Sequence, residues 1–189
     1  MDRILTLVRA RYPMIQVVTH EEERVGRALD RLASEESRAV YRWTATDGLL
    51  GPEGAIAATT ELEDALEAID AVSEAAFFIL SDVAAWWDNP RVVRHLRDLG
   101  HRVGKRQQAC FLVECESAVP SELEKEITVV DIPLPNREDV GKLLATLVKA
   151  ENIDLPSDRF WRFVDGSLGL TEKEIKRLLA RIVMSGEGF

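Results

Sequence analysis

The chain has 189 residues, 46% of them hydrophobic and 30% charged, with a formal net charge of −9. That length supports one good core with a small appended subdomain, and the composition is that of an ordinary soluble globular protein. The acidity argues against a general nucleic-acid or membrane-surface binder, because an acidic field repels polyanions.

The first segment, "MDRILTLVRARYP", has a short apolar run broken by Arg3, Arg9 and Arg11, and reads as an amphipathic helix rather than a leader. No apolar run approaches the ~20 residues of a bilayer span, so no membrane partner is expected. Five apolar segments then read as strands: 14–19, 39–44, 76–82, 109–114 and 127–132. Between them lie helical stripes: Val25, Ala28, Leu29 and Leu32; Leu62, Ala65, Leu66 and Ile69; Val92, Leu96, Leu99 and Val103. Continuous apolar strands alternating with helices predict a five-stranded parallel sheet sandwiched by helices. Cys110 and Cys115 have an odd separation that places them on opposite strand faces, predicting two unpaired buried thiols in a reducing cytoplasm.

After "IPLPNRED" no strand is expected, and helices are predicted at about 137–151, 157–165 and 171–184. Asn136, Ser157 and Thr171 are their candidate caps, Thr171 with Glu174 having capping-box spacing. The plan is an α/β body over 1–134 and a helical subdomain over 135–189. The tail "MSGEGF" carries no helix-continuing pattern.

The junction "VVTHEEER" takes a strand into a helix, where α/β proteins often hold a phosphate. Here Thr19 and Glu22 fit S/T-x-x-E, so Thr19 is expected to cap the backbone N–H groups that a phosphate would use. Glu21, Glu22 and Glu23 suit the helix dipole and repel a triphosphate. The pattern G-x-x-x-x-G-K-[ST] is absent from the chain.

Two other clusters could carry chemistry. Glu21, Asp47, Asp82, Glu114 and Asp131 lie near carboxyl ends of strands, where ligands of parallel sheets collect. Converging Glu21, Asp82 and Asp131 could hold magnesium for phosphotransfer or hydrolysis. The helix from Pro90, capped by Asp88 or Asn89, presents Arg91, Arg94, His95, Arg97, His101 and Arg102, with Lys105 and Arg106 beyond. That face suits an acidic surface on a neighbouring subunit, or makes 90–106 the contact of a nucleic-acid adaptor. Upstream, Trp86-Trp87 could mark an interface, one ring entering the core and the other exposed. The glycine-rich loop 45–60 is a further candidate contact, through Asp47, Gly48 and Leu49.

Taken in order, "VRARYPMIQVVTHEEERVGRAL", "VYRWTATDGL", "DNPRVVRHLRDLG", "VPSELEKEITVVDIPLPNRED" and "GLTEKEI" resemble the N-terminal domain of the hypothetical chloroplast reading-frame family of AAA ATPases, found in chloroplasts, cyanobacteria and other bacteria. The resemblance implies a degenerate AAA-like body without a P-loop, a helical lid, and a following intact ATPase domain. "EITVVDIPLPNRED" looks like the passage from the last strand into the lid, and "GLTEKEIKRLLARIV" like the lid segment that usually carries a nucleotide sensor. Carried over residue by residue, the catalytic parts fail. Thr19–Arg24 replaces the phosphate loop, Asp82 is followed by Val83 in place of a catalytic glutamate, and "VPSELEKEI" offers no arginine finger. The sensor strand ends in Glu114 where a neutral polar residue is usual.

The resemblance therefore implies no catalytic residue, no bound ATP or magnesium, and a role in recognition and assembly. Its implied partners are an AAA ATPase domain or neighbouring subunits; the candidate contacts read from the residues themselves are Asp47, Gly48, Leu49, Trp86, Trp87, Arg94, Arg97 and Arg102. The expected location is cytoplasmic, or stromal in a chloroplast.

Overall fold

A computed structural model describes residues 2–153 and 155–185. The chain forms two compact units, Met1–Ile132 and Pro133–Phe189.

In the first unit, α1 (Asp2–Arg9) leads into β1 (Met14–Val18), α2 (Glu22–Glu35) and β2 (Ala39–Thr44). A hairpin of β3 (Gly48–Gly51) and β4 (Gly54–Ala55) follows, then α3 (Leu62–Ala71) and β5 (Ala76–Ser81). A 3-10 turn (Val83–Trp86), α4 (Pro90–Val103), β6 (Ala109–Glu114) and β7 (Ile127–Asp131) complete it. The strands make one seven-stranded sheet in the order β4-β3-β2-β5-β6-β1-β7. The five expected strands form its parallel part.

The expectation of five strands is corrected by the hairpin, which adds two antiparallel strands to the β2 edge. The glycine-rich stretch folds because Gly48 and Gly54 supply positive φ (71° and 115°) at its turns. Thr59 then anchors it: its hydroxyl accepts the Leu49 N–H at 2.8 Å, and its carbonyl accepts the Trp43 indole N–H at 2.8 Å.

The sheet buries both faces, which is why its central strands carry no polar alternation. One core, under α3 and α4, contains Met14, Trp43, Leu66, Phe78, Leu96 and Leu112. Gly100 lets α4 approach β1, since a Cβ there would lie 2.9 Å from the Met14 sulfur. The other core, under α1 and α2, contains Ile4, Val8, Ile15, Leu29, Phe77 and Phe111. All the helical stripe residues expected from periodicity are buried. Cys110 and Cys115 are free thiols, but Cys115 is exposed, because it lies one residue past the end of β6.

The second unit contains α5 (Arg137–Ala150), α6 (Ser157–Gly166) and α7 (Glu172–Ser185), packed around Val140, Leu144, Phe163, Val164, Ile175 and Leu179. Asn136 forms a full capping box with Asp139, and Thr171 exchanges bonds with Glu174. Ser157 caps nothing; Pro156 occupies the N-cap and Ser157 opens the helix itself. Of the tail "MSGEGF", residues 186–189 lie outside the described residues.

Candidate functional site

The β1–α2 junction is short. β1 ends at Val18 and α2 begins at Glu22, so Thr19, His20 and Glu21 alone connect them. A lysine-bearing phosphate loop fills eight positions. The expected capping box does not form: Glu21 is the N-cap, with no side-chain cap bond. Thr19 sits too early to reach the helix, and its hydroxyl instead accepts the Glu21 N–H at 2.9 Å. Glu22 turns sideways to accept the Ser81 hydroxyl at 2.7 Å.

Among the described residues no group of three or more His, Cys, Asp or Glu could hold a metal ion, so the convergence of Glu21, Asp82 and Asp131 required by a magnesium site is not seen. Glu114 is 4% exposed and points back into the fold, where its Oε1 accepts the Ala84 N–H at 3.0 Å. Burial, with the Coulombic push of Asp82, raises its pKa to about 7.

Farther along, α4 and the β6–β7 connection enclose a groove of about 260 Å³. Trp87, Pro90 and Val93 form its apolar wall, with Arg94, Arg97 and Glu122 around it. Three residues proposed from sequence, Trp87, Arg94 and Arg97, therefore meet here. Val93 and Glu122 were missed: Val93 reads as helix interior, and Glu122 arrives from another element. Asn89 sets the start of α4 by accepting the Arg91 N–H. The expected split of the tryptophans is corrected, since both are half-buried. Trp86 stands edge-on to Trp43 with centroids 5.2 Å apart, and Trp87 donates its indole N–H to the Ala118 carbonyl at 2.6 Å.

The basic face of α4 is largely matched within the chain. Arg94 pairs with Asp98; His95 and Arg102 both pair with Asp70. Arg106 donates to the Asp70 and Val72 carbonyls at 3.1 Å, and Arg97 and His101 face Glu126 at 3.9 and 4.0 Å. Arg102 thus lies away from the groove, in an ion-pair cluster between α3 and α4. In the hairpin, Leu49 is fully buried and Gly48 is packed on Thr59, so neither presents a contact surface. Asp47 is exposed, its carboxylate accepting the Thr44 hydroxyl at 3.2 Å.

The helix-covered sheet, in this strand order, defines an AAA-type α/β fold. A crystal structure of a DNA replication initiation factor superposes with a TM-score of 0.65 at 15% identity, covering 98% of this chain and 59% of that one. The replication initiator DnaA bound to AMPPCP and single-stranded DNA gives 0.64 at 13%, covering 97% and 60%. The family model for the N-terminal domain of SpoVK-like AAA ATPases matches residues 1–132, and the chain belongs to that family. The AAA domain-containing protein ycf46 of Guillardia theta is 29% identical over 94% of this chain, and that of Pyropia yezoensis 28% over 94%. The chain spans 36% and 37% of the length of these two relatives. Among the described residues, no helix is long and apolar enough to cross a membrane.

Proposed function

We propose that this domain is a non-catalytic AAA-like module that recognises a partner and supports assembly beside an active AAA ATPase domain. The observation carrying the reading is the three-residue β1–α2 connection, with Thr19 holding the Glu21 N–H where a phosphate loop would lie. Thr19 occupies one of the backbone donors a phosphate would use, and Glu22 and Glu23 in the first turn repel a triphosphate. The helical second unit corresponds to a lid in this reading. The groove beside Trp87 is the contact surface, because it joins an aromatic wall to arginines at a scale suited to a side-chain anchor.

Calorimetric titration with ATP and magnesium tests the reading. No heat of binding is expected up to millimolar nucleotide, whereas micromolar affinity would overturn it.

A further inference from the structure

Glu114 does more than end a strand. Its carboxylate accepts the Ala84 N–H at 3.0 Å, so it caps the 3-10 turn Val83–Trp86. Asp82, which precedes that turn in the left-handed region at φ 58°, supplies no side-chain cap. The turn carries Trp86 onto Trp43 and leads directly to Trp87, which is fastened to Ala118 and walls the groove. One buried carboxylate therefore fixes the start of a short segment whose far end shapes the candidate contact surface.

We propose that protonation of Glu114 re-seats the Val83–Trp87 segment, so that pH selects between two forms of the groove beside Trp87. This rests on the reading of that groove as the contact surface. The ionised carboxylate accepts backbone N–H groups as a charge-assisted cap. A proton taken from solvent removes the charge, weakens the cap, and adds an O–H donor that needs its own acceptor. The charge of Asp82 raises the Glu114 pKa.

The other titratable groups at this end of the sheet come from every neighbouring element. Cys115 and Glu116 follow β6, and Glu22 comes from α2; burial first, then the charges of Asp82, Glu114, Glu22 and Glu116, push the Cys115 pKa up. His20 and Glu21 lie on the β1–α2 connection, and Asp131 ends β7, in register with Glu114 across Val18. Burial first, and Asp82 second among the causes that raise it, place the Glu114 titration at about 7, inside the cellular range.

The test follows the tryptophan indole N–H resonances of the whole chain by NMR between about pH 5.5 and 8.5. The Trp86 and Trp87 signals are expected to move together with a midpoint of about 7, while Trp161 in the second unit stays still. Asp82→Asn should lower the midpoint, Glu114→Gln should abolish the transition, and His20→Gln should leave it intact. Flat Trp86 and Trp87 signals, a transition that survives Glu114→Gln, or one that vanishes in His20→Gln would overturn the proposal. The titration uses neither nucleotide nor partner, so its failure is separate from failure of the nucleotide-free reading.

Discussion

Asp70 on α3 receives both His95 and Arg102 from α4, so one carboxylate joins two helices and absorbs much of the basic face. The Asp70 and Arg102 side chains are 29% and 39% exposed, and the Arg102 Nε is buried without a hydrogen-bond partner among the described residues. Removing the carboxylate strands a partly desolvated guanidinium. Asp70→Ala is therefore expected to destabilise the first unit by about 1–3 kcal/mol in denaturant titration. Asp98→Ala breaks only a surface i,i+4 pair with Arg94 and should cost less than about 0.5 kcal/mol. Equal effects would remove the distinction between a helix-joining cluster and a solvated charge face.

Gly48 and Leu49 act through the hairpin rather than through a partner. Gly48 holds φ 71°, and a Cβ on it would lie 3.0 Å from the Thr59 hydroxyl and 3.2 Å from the Thr59 carbonyl carbon. Gly48→Ala is expected to cost about 1–3 kcal/mol through backbone strain. Leu49→Ala opens a cavity in the core under α3 and α4 and should cost about 2–5 kcal/mol. Thermal unfolding of the two variants checks both values. Asp47→Ala, at an exposed position, should remain within about 1 kcal/mol of the parent.

Apolar runs located the parallel strands to within a residue, because burial on both faces leaves continuous hydrophobic segments such as "AFFILS". The hairpin was illegible for the opposite reason. Its strands, "GLLG" and "GA", are short and glycine-rich, and the contacts that hold them come from Thr59 and Trp43, beyond any local pattern. The same limit applied to the site. Trp87, Arg94 and Arg97 could be picked out as aromatic and basic residues around Pro90, whereas Glu122 joins them only through tertiary folding. Glu114 was visible as a strand-end acid, but its bond to Ala84 exists because β5 and β6 pair with Ser81 opposite Val113.

Capping in the second unit offers a local comparison. Asn136 accepts the Glu138 and Asp139 N–H groups at 2.9 and 3.0 Å, and Thr171 accepts the Glu174 N–H at 3.2 Å. Asn136→Ala and Thr171→Ala should each cost about 1 kcal/mol, read as faster amide hydrogen exchange in the first turns of α5 and α7. Ser157→Ala should change exchange in α6 by no more than a few tenths of a kcal/mol, because that serine makes no cap bond. A large Ser157 effect would show that the hydroxyl has a partner in solution after all.

The raised Glu114 pKa also sets the slope of stability against pH. Burial lifts the folded value from 4.5 to about 7, so the folded state holds a proton that the unfolded chain has already released over that interval. Stability linked to this group is therefore full below about pH 4.5, falls as pH rises, and is flat above about 7. The loss amounts to on the order of 1–3 kcal/mol for a carboxylate that keeps its hydrogen bond from the Ala84 N–H. Glu114→Gln preserves shape and acceptor while removing the titration. Urea denaturation across this range should find the variant more stable than the parent above pH 7 by a similar amount, with the two converging toward pH 5. A variant less stable than the parent at pH 8 would overturn this expectation and mean that the ionised carboxylate is a net stabilising cap.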